Sequence, residues 1–67
     1  GARWREARVA QRLRQEDLAA KIQTMGVNME RDSISRIEIG TRFVSDFELK
    51  VFAKALGVSV DWLLGNE

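Results

Sequence analysis

The 67-residue chain contains neither Cys nor His. That removes the thiolate nucleophile, the imidazole base and the usual zinc ligands together. No Gly-rich phosphate loop is present either, so no catalytic acid–base or nucleophile–base pair can be assembled. An enzyme is excluded on these grounds, and no cofactor, metal or small-molecule ligand is implied. What remains for chemistry is charge: eleven Lys and Arg against ten Asp and Glu, net +1. The distribution is uneven. Residues 1–14 carry five Arg (Arg3, Arg5, Arg8, Arg12, Arg14) against one Glu, whereas residues 43–67 carry Lys50 and Lys54 against four acids. A basic end beside an acidic end suits a polyanion partner; the plainer alternative is a solvated helix face that happens to be rich in Arg.

Something must hold those side chains in place. The length allows one small domain over residues 1–67, with a marginal core. Apolar residues at 45% and charged residues at 31% describe a soluble globular chain. No apolar run approaches the roughly 20 residues of a membrane span, and no signal-peptide core is visible. The expectation is a soluble cytoplasmic module. Pro is absent, which permits helices throughout, and apolar spacing is helical along the chain with Gly as punctuation.

Gly1-Ala2 reads as a frayed start, followed by a first helix over 3–12 with Trp4, Ala7 and Gln11 along one line. A second helix starts near Gln15, with Glu16 and Asp17 in its first turn where the macrodipole favours anions. Leu18, Ala19 and Ile22 form its buried stripe, and Gly26 follows its end. Asn28 is the best N-cap for a third helix over 29–39, with Ile34 and Ile37 inward and Gly40 at its end. Ser45-Asp46-Phe47-Glu48 is a capping box opening a fourth helix, with Val44 and Leu49 fitting the hydrophobic staple. Phe52, Ala55 and Leu56 continue its buried face to Gly57. Ser59 caps a short fifth helix carrying Asp61, Trp62, Leu63 and Leu64. Trp4, Leu13, Phe47, Phe52 and Trp62 are expected in the core, with Met25 and Met29 filling gaps near the turn. The fold class is therefore all-α, a compact five-helix bundle.

Within that bundle Gln15-Glu16-Asp17-Leu18-Ala19, a Gly turn, and Ile34-Ser35-Arg36-Ile37-Glu38 resemble a helix-turn-helix. Ala19 is small enough to let the second and third helices cross closely. Leu18 and Ile22 pack against Ile34 and Ile37, leaving the polar face of the third helix outward, where it can enter a major groove. The chain resembles the phage-repressor/Cro-type (XRE) helix-turn-helix family of bacterial and phage transcription regulators. The resemblance rests on Arg8, on Leu13 to Ala19, on Ile34-Ser35-Arg36-Ile37-Glu38-Ile39-Gly40, and on Ala53 through Gly65, nearly the whole chain.

The resemblance implies sequence-specific binding of double-stranded DNA by a homodimer, most often a repressor. It implies phosphate contacts from Arg14 and Gln15, and from Thr41 and Arg42 in the loop after the third helix, which usually offers backbone N–H groups. It places base reading at Arg31, Asp32, Ser33 and Arg36: Arg suits the O6 and N7 acceptors of guanine, Asp the amino group of cytosine. Arg8 and Glu38 take the places of a structural ion pair. Dimer contacts would lie around Val58, Val60 and Trp62. Two departures stand out. The stretch between Ala19 and Ile34 is longer than usual, so residues 24–29 extend the second helix, its turn, or both. The start of the third helix within 26–33 stays open, and with it whether Glu30 and Asp32 read bases, pair with Arg31 or lie aside. Part of the family shares the longer form, with a pattern that Arg42, Val44, Asp46, Glu48 and Leu49 follow. Arg12 stands where the family often has Gly. A second function fits the same scaffold: a helical protein-interaction module, antitoxin-like or bridging, with DNA contact secondary. The modest net charge and Glu30 and Asp32 favour it.

Overall fold

Helix ends organise this chain. The computed structural model describes residues 2–65, so Gly1 of the expected frayed start lies outside the described residues. In order the helices are α1 (Ala2–Ala10), α2 (Gln15–Thr24), α3 (Arg31–Ile39), α4 (Asp46–Leu56) and α5 (Val60–Leu63). Among the described residues there is no strand, and no helix is long and apolar enough to cross a membrane.

α2 and α4 begin and end where local chemistry dictates. Asp17 Oδ2 accepts the backbone N–H of Arg14 (2.9 Å) at the mouth of α2. The Ser45 hydroxyl accepts from Glu48 N, and Glu48 returns the bond to Ser45 N (3.0 Å), so the capping box is complete. Ser59 likewise accepts from Trp62 N (3.0 Å) to open α5. Gly26, Gly40 and Gly57 follow α2, α3 and α4 in left-handed conformation.

Two boundaries differ from the sequence expectation. α1 stops at Ala10 rather than residue 12, because Arg12 turns left-handed (φ 58°) and reverses the chain. α3 starts at Arg31 with Glu30 as its N-cap, so Asn28 is not the cap. The reason is tertiary: Val27 and Met29 are both buried while Asn28 and Glu30 are exposed. That alternation requires an extended strand-like path, since a helix would put residues two apart on different faces. Gln23 Nε2 donates to Met29 O (2.7 Å) and holds the path against α2.

The core is one cluster built around Phe52, Leu18, Ile22, Met29, Ile34 and Leu56, all but fully buried. Ala19, Ala53 and Ala55 are buried as well, and their small side chains let α2 and α4 approach their neighbours. Trp4 meets Phe52 edge-on, with centroids 5.0 Å apart, a favourable aromatic geometry. Trp4, Leu13 and Trp62 pack partly buried against the cluster. Phe47, expected inside, is 64% exposed, and Leu64 is also exposed. Both sit at the edge of a helix whose inward face is already filled, by Phe52 and Leu56 in α4 and by Leu63 in α5. The free carbonyls at the end of α4 are taken up from elsewhere: Gln11 Nε2 donates to Leu56 O (3.2 Å) and Lys21 Nζ to Ala55 O (2.8 Å).

Candidate nucleic-acid interface

One polar cluster fixes α3 against α1 and α2. Arg8 Nε donates to Glu38 Oε2 (2.7 Å) and Nη2 to Glu38 Oε1 (3.2 Å), a bidentate pair. The remaining Nη1 donates to Leu13 O (2.8 Å). Gln15 Nε2 adds a bond to Glu38 Oε1 (3.3 Å). Only 11% of the Arg8 side chain and 8% of the Glu38 side chain is exposed. A pair this buried is a locator rather than a surface contact, and removing either partner strands a charge at about 3–5 kcal/mol.

That lock turns a particular face of α3 outward. Ile34 and Ile37 are buried, while Arg31, Asp32, Arg36 and Ile39 are exposed and Ser33 and Ser35 are half-buried. At helical spacing Asp32, Ser35, Arg36 and Ile39 share the face opposite the two buried Ile; Arg31 and Ser33 lie on its two flanks. The sequence reading named Arg31, Asp32, Ser33 and Arg36 and omitted Ser35 and Ile39. Arg31 makes no ion pair with Glu30 or Asp32 among the described residues.

Two surface recesses border this face. Arg8, Arg14, Gln15 and Glu16 line one together with Arg31, so the starts of α2 and α3 meet there. The other is lined by Arg5, Arg8, Gln15, Ser35, Glu38 and Ile39. Neither N-cap side chain accepts a bond from its own helix, although at α2 the Asp17 carboxylate takes the Arg14 N–H (2.9 Å). At α2 the N-cap is Arg14, whose guanidinium has no lone pair to offer; at α3 it is Glu30, whose carboxylate makes no cap bond. The N–H groups of residues 15–17 and 31–33 thus meet no side-chain acceptor among the described residues, with Glu16 and Asp17 in the first turn of α2 and Asp32 in that of α3; free N–H groups at a helix start suit an anion.

The five N-terminal Arg divide by task. Arg3 donates to Trp62 O (2.8 Å) and stacks on the Trp62 ring, tying α1 to α5. Arg8 is buried in its pair. Arg14 is 79% exposed and meets Glu16 and Asp17 at 3.4 Å, loose pairs that solvent weakens. Among the described residues Arg5, Arg12, Arg31 and Arg36 form no ion pair. Arg5 lines the second recess and was missed from the sequence; its place in the Arg-rich segment was the available signal.

The loop after α3 differs from expectation in two respects. Gly40 N and Thr41 N donate to Ile37 O (3.1 Å) and Arg36 O (2.9 Å), closing α3. Their N–H groups are therefore not free for phosphate, although the exposed Thr41 hydroxyl, 3.3 Å from Arg36 O, remains accessible. Arg42 is directed inward, with Nη1 on Met29 Sδ and Nη2 on Glu48 Oε2, both at 3.4 Å. The Ser45 backbone N–H, with help from the Arg42 charge, holds the Glu48 carboxyl below its ordinary value of 4.5 against the opposing effect of burial.

Two crossed helices, the second presented outward by a buried ion pair, make up a helix-turn-helix. The helix-turn-helix family model matches residues 5–63, and the chain belongs to that family, in its XRE-type, Cro/C1-like form. Its members are DNA-binding regulators. No match is found among curated proteins or among solved structures.

Proposed function

We propose that this chain reads a specific double-stranded DNA site for a transcription repressor, with α3 in the major groove, in the cytoplasm at the nucleoid. The observation that carries this reading is that the starts of α2 and α3, whose N-cap side chains accept no helix bond, meet at one recess beside Arg31, which forms no ion pair among the described residues. In this reading Arg31 and Arg36 donate to guanine, Asp32 accepts from a cytosine amino group, and Ser33 makes a permissive contact. Arg14 and Gln15 hold phosphate, Gln15 through the amide hydrogen not given to Glu38. Thr41 adds its hydroxyl. Arg42 contributes mainly by shaping the loop, since its guanidinium is engaged by Glu48 and Met29.

The protein binds as a homodimer on a two-fold related site with half-sites roughly 34 Å apart. Its contacts lie around Val58, Val60 and Trp62, with the exposed Leu64 supplying apolar surface beside them. The test is a duplex titration over salt. Affinity falls as salt rises, with a slope near −0.9 per neutralised phosphate. Arg36→Ala relaxes preference at one base position by about 1–3 kcal/mol, and Arg14→Ala weakens all sequences alike. Equal behaviour of the two variants would overturn the division into reader and anchor.

A specific observation favours a second reading, that of a protein-interaction module. Phe43 is 98% exposed and Phe47 64% exposed, more aromatic surface than a solvated loop and helix start require. Absence of duplex binding even at low salt would select this alternative.

A further inference from the structure

Among the described residues four helices, α1 to α4, end in the same way, and one of the four breaks the rule that the others follow. At α2, Gly26 N donates to Gln23 O (3.1 Å) and Val27 N to Ile22 O (3.3 Å). At α3 the pair is Gly40 to Ile37 and Thr41 to Arg36; at α4 it is Gly57 to Lys54 and Val58 to Ala53. At α1, Arg12 N donates to Val9 O (2.9 Å) and Leu13 N to Arg8 O (3.2 Å). This double closure needs a left-handed residue, and Gly is the residue that adopts that conformation without strain. Gly26, Gly40 and Gly57 supply it at φ 91°, 93° and 69°; α1 uses Arg12 at φ 58°.

The fold itself gives no reason for an Arg there. The turn is held from outside Arg12: Leu13 packs against the core, Arg8 Nη1 binds Leu13 O (2.8 Å) and Gln11 Nε2 binds Leu56 O (3.2 Å). The Arg12 side chain is exposed and forms no ion pair among the described residues. A strained residue whose side chain does nothing for its own chain points to a task outside it. Its neighbourhood names the task. At most about 7 Å of backbone separates Arg12 from Arg14, the N-cap of α2, whose side chain closes none of the helix N–H groups.

We propose that Arg12 is a further DNA-backbone anchor, a cation held in a left-handed turn to add one phosphate contact beside Arg14 and the start of α2. The inference rests on the duplex-binding reading above and deepens it.

The test uses Arg12→Gly, Arg12→Gln and Arg12→Lys in the 67-residue chain, with thermal melts and titration of a mixed-sequence duplex over a range of salt. Arg12→Gly relieves the strain and melts higher, by about 4 °C, yet its salt slope becomes shallower by about 0.9 for every duplex tried. Arg12→Gln loses the same slope without the rise in melting temperature, and Arg12→Lys keeps the slope. Binding curves for Arg12→Gly that superimpose on wild type at every salt would overturn the proposal, leaving Arg12 a tolerated surface residue. A melt for Arg12→Gly no higher than wild type would remove the strain on which it stands. If the unaltered chain itself fails to bind duplex at low salt, the duplex-binding reading falls first, a result separable from any behaviour of the variants.

Discussion

The two ends of this molecule treat their helix starts in opposite ways. In the half made by α4 and α5, Ser45 and Ser59 cap the backbone N–H groups with their own hydroxyls, and the donors are satisfied within the chain. In the half made by α2 and α3 the N-caps are Arg14 and Glu30, and neither makes a side-chain cap bond. A Ser, Thr, Asp or Asn cap stabilises a helix by about 0.5–2 kcal/mol. The α2–α3 half forgoes that at two helices in a chain with little stability to spare. In the function proposed above, the difference separates scaffold from interface: donors closed by the chain hold the fold, and donors left without a side-chain acceptor receive an external anion.

The comparison can be broken most severely through the lock between the halves. Arg8→Ala strands Glu38 and Gln15 and lowers unfolding free energy by about 3–5 kcal/mol, read from denaturant midpoints; a change under about 1 kcal/mol would mean that the pair does not locate α3. Next in size is a pair of cap variants. Ser45→Ala loses about 1 kcal/mol of stability and leaves the duplex salt slope alone. Arg14→Ser supplies the missing cap at α2, gains about 0.5–1 kcal/mol, and weakens binding to all duplexes. If both variants move stability in the same direction, the contrast between the halves is wrong.

Acid supplies a smaller effect. The Glu48 carboxyl is held below 4.5 in the folded chain, so its contribution is present above that value and is lost as pH falls through the lowered value. Glu48→Gln should therefore flatten the acid limb of the stability–pH curve, and an unchanged limb would remove Glu48 from the account. Smallest of all is Phe47→Thr, which changes stability by less than about 1 kcal/mol because most of the ring is already in water.

Most of the fold was legible because its signals are local. The Ser45–Glu48 box, the Ser59 cap, the start of α2 at Gln15 and the glycines after three helices are each decided within a few residues. The start of α3 was not legible. It depends on Val27 and Met29 both reaching the core, and only the shape of that core settles whether residues 27–30 run extended or helical. Phe47 misled for the same reason: α4 already fills its inward face with Phe52 and Leu56. The outward ridge of α3 was readable from Ile34 and Ile37 by spacing alone, though Ser35 and Ile39 share it and went unnamed. The family resemblance places Arg42 and the N–H of Thr41 outward, whereas Glu48, Met29 and the carbonyl of Arg36 hold them inward. Arg12 stands where the family often has Gly, but its left-handed backbone is visible only in three dimensions.

The claim that the open helix starts receive DNA phosphate can be tested directly by following backbone amide resonances as a duplex is added at low salt. The account predicts shifts concentrated at the N–H groups of residues 15–17 and 31–33, with those of residues 46–48 and 60–62 unmoved. Shifts confined to α4 and α5, or bound protein whose α2 and α3 amides stay where they were, would contradict it.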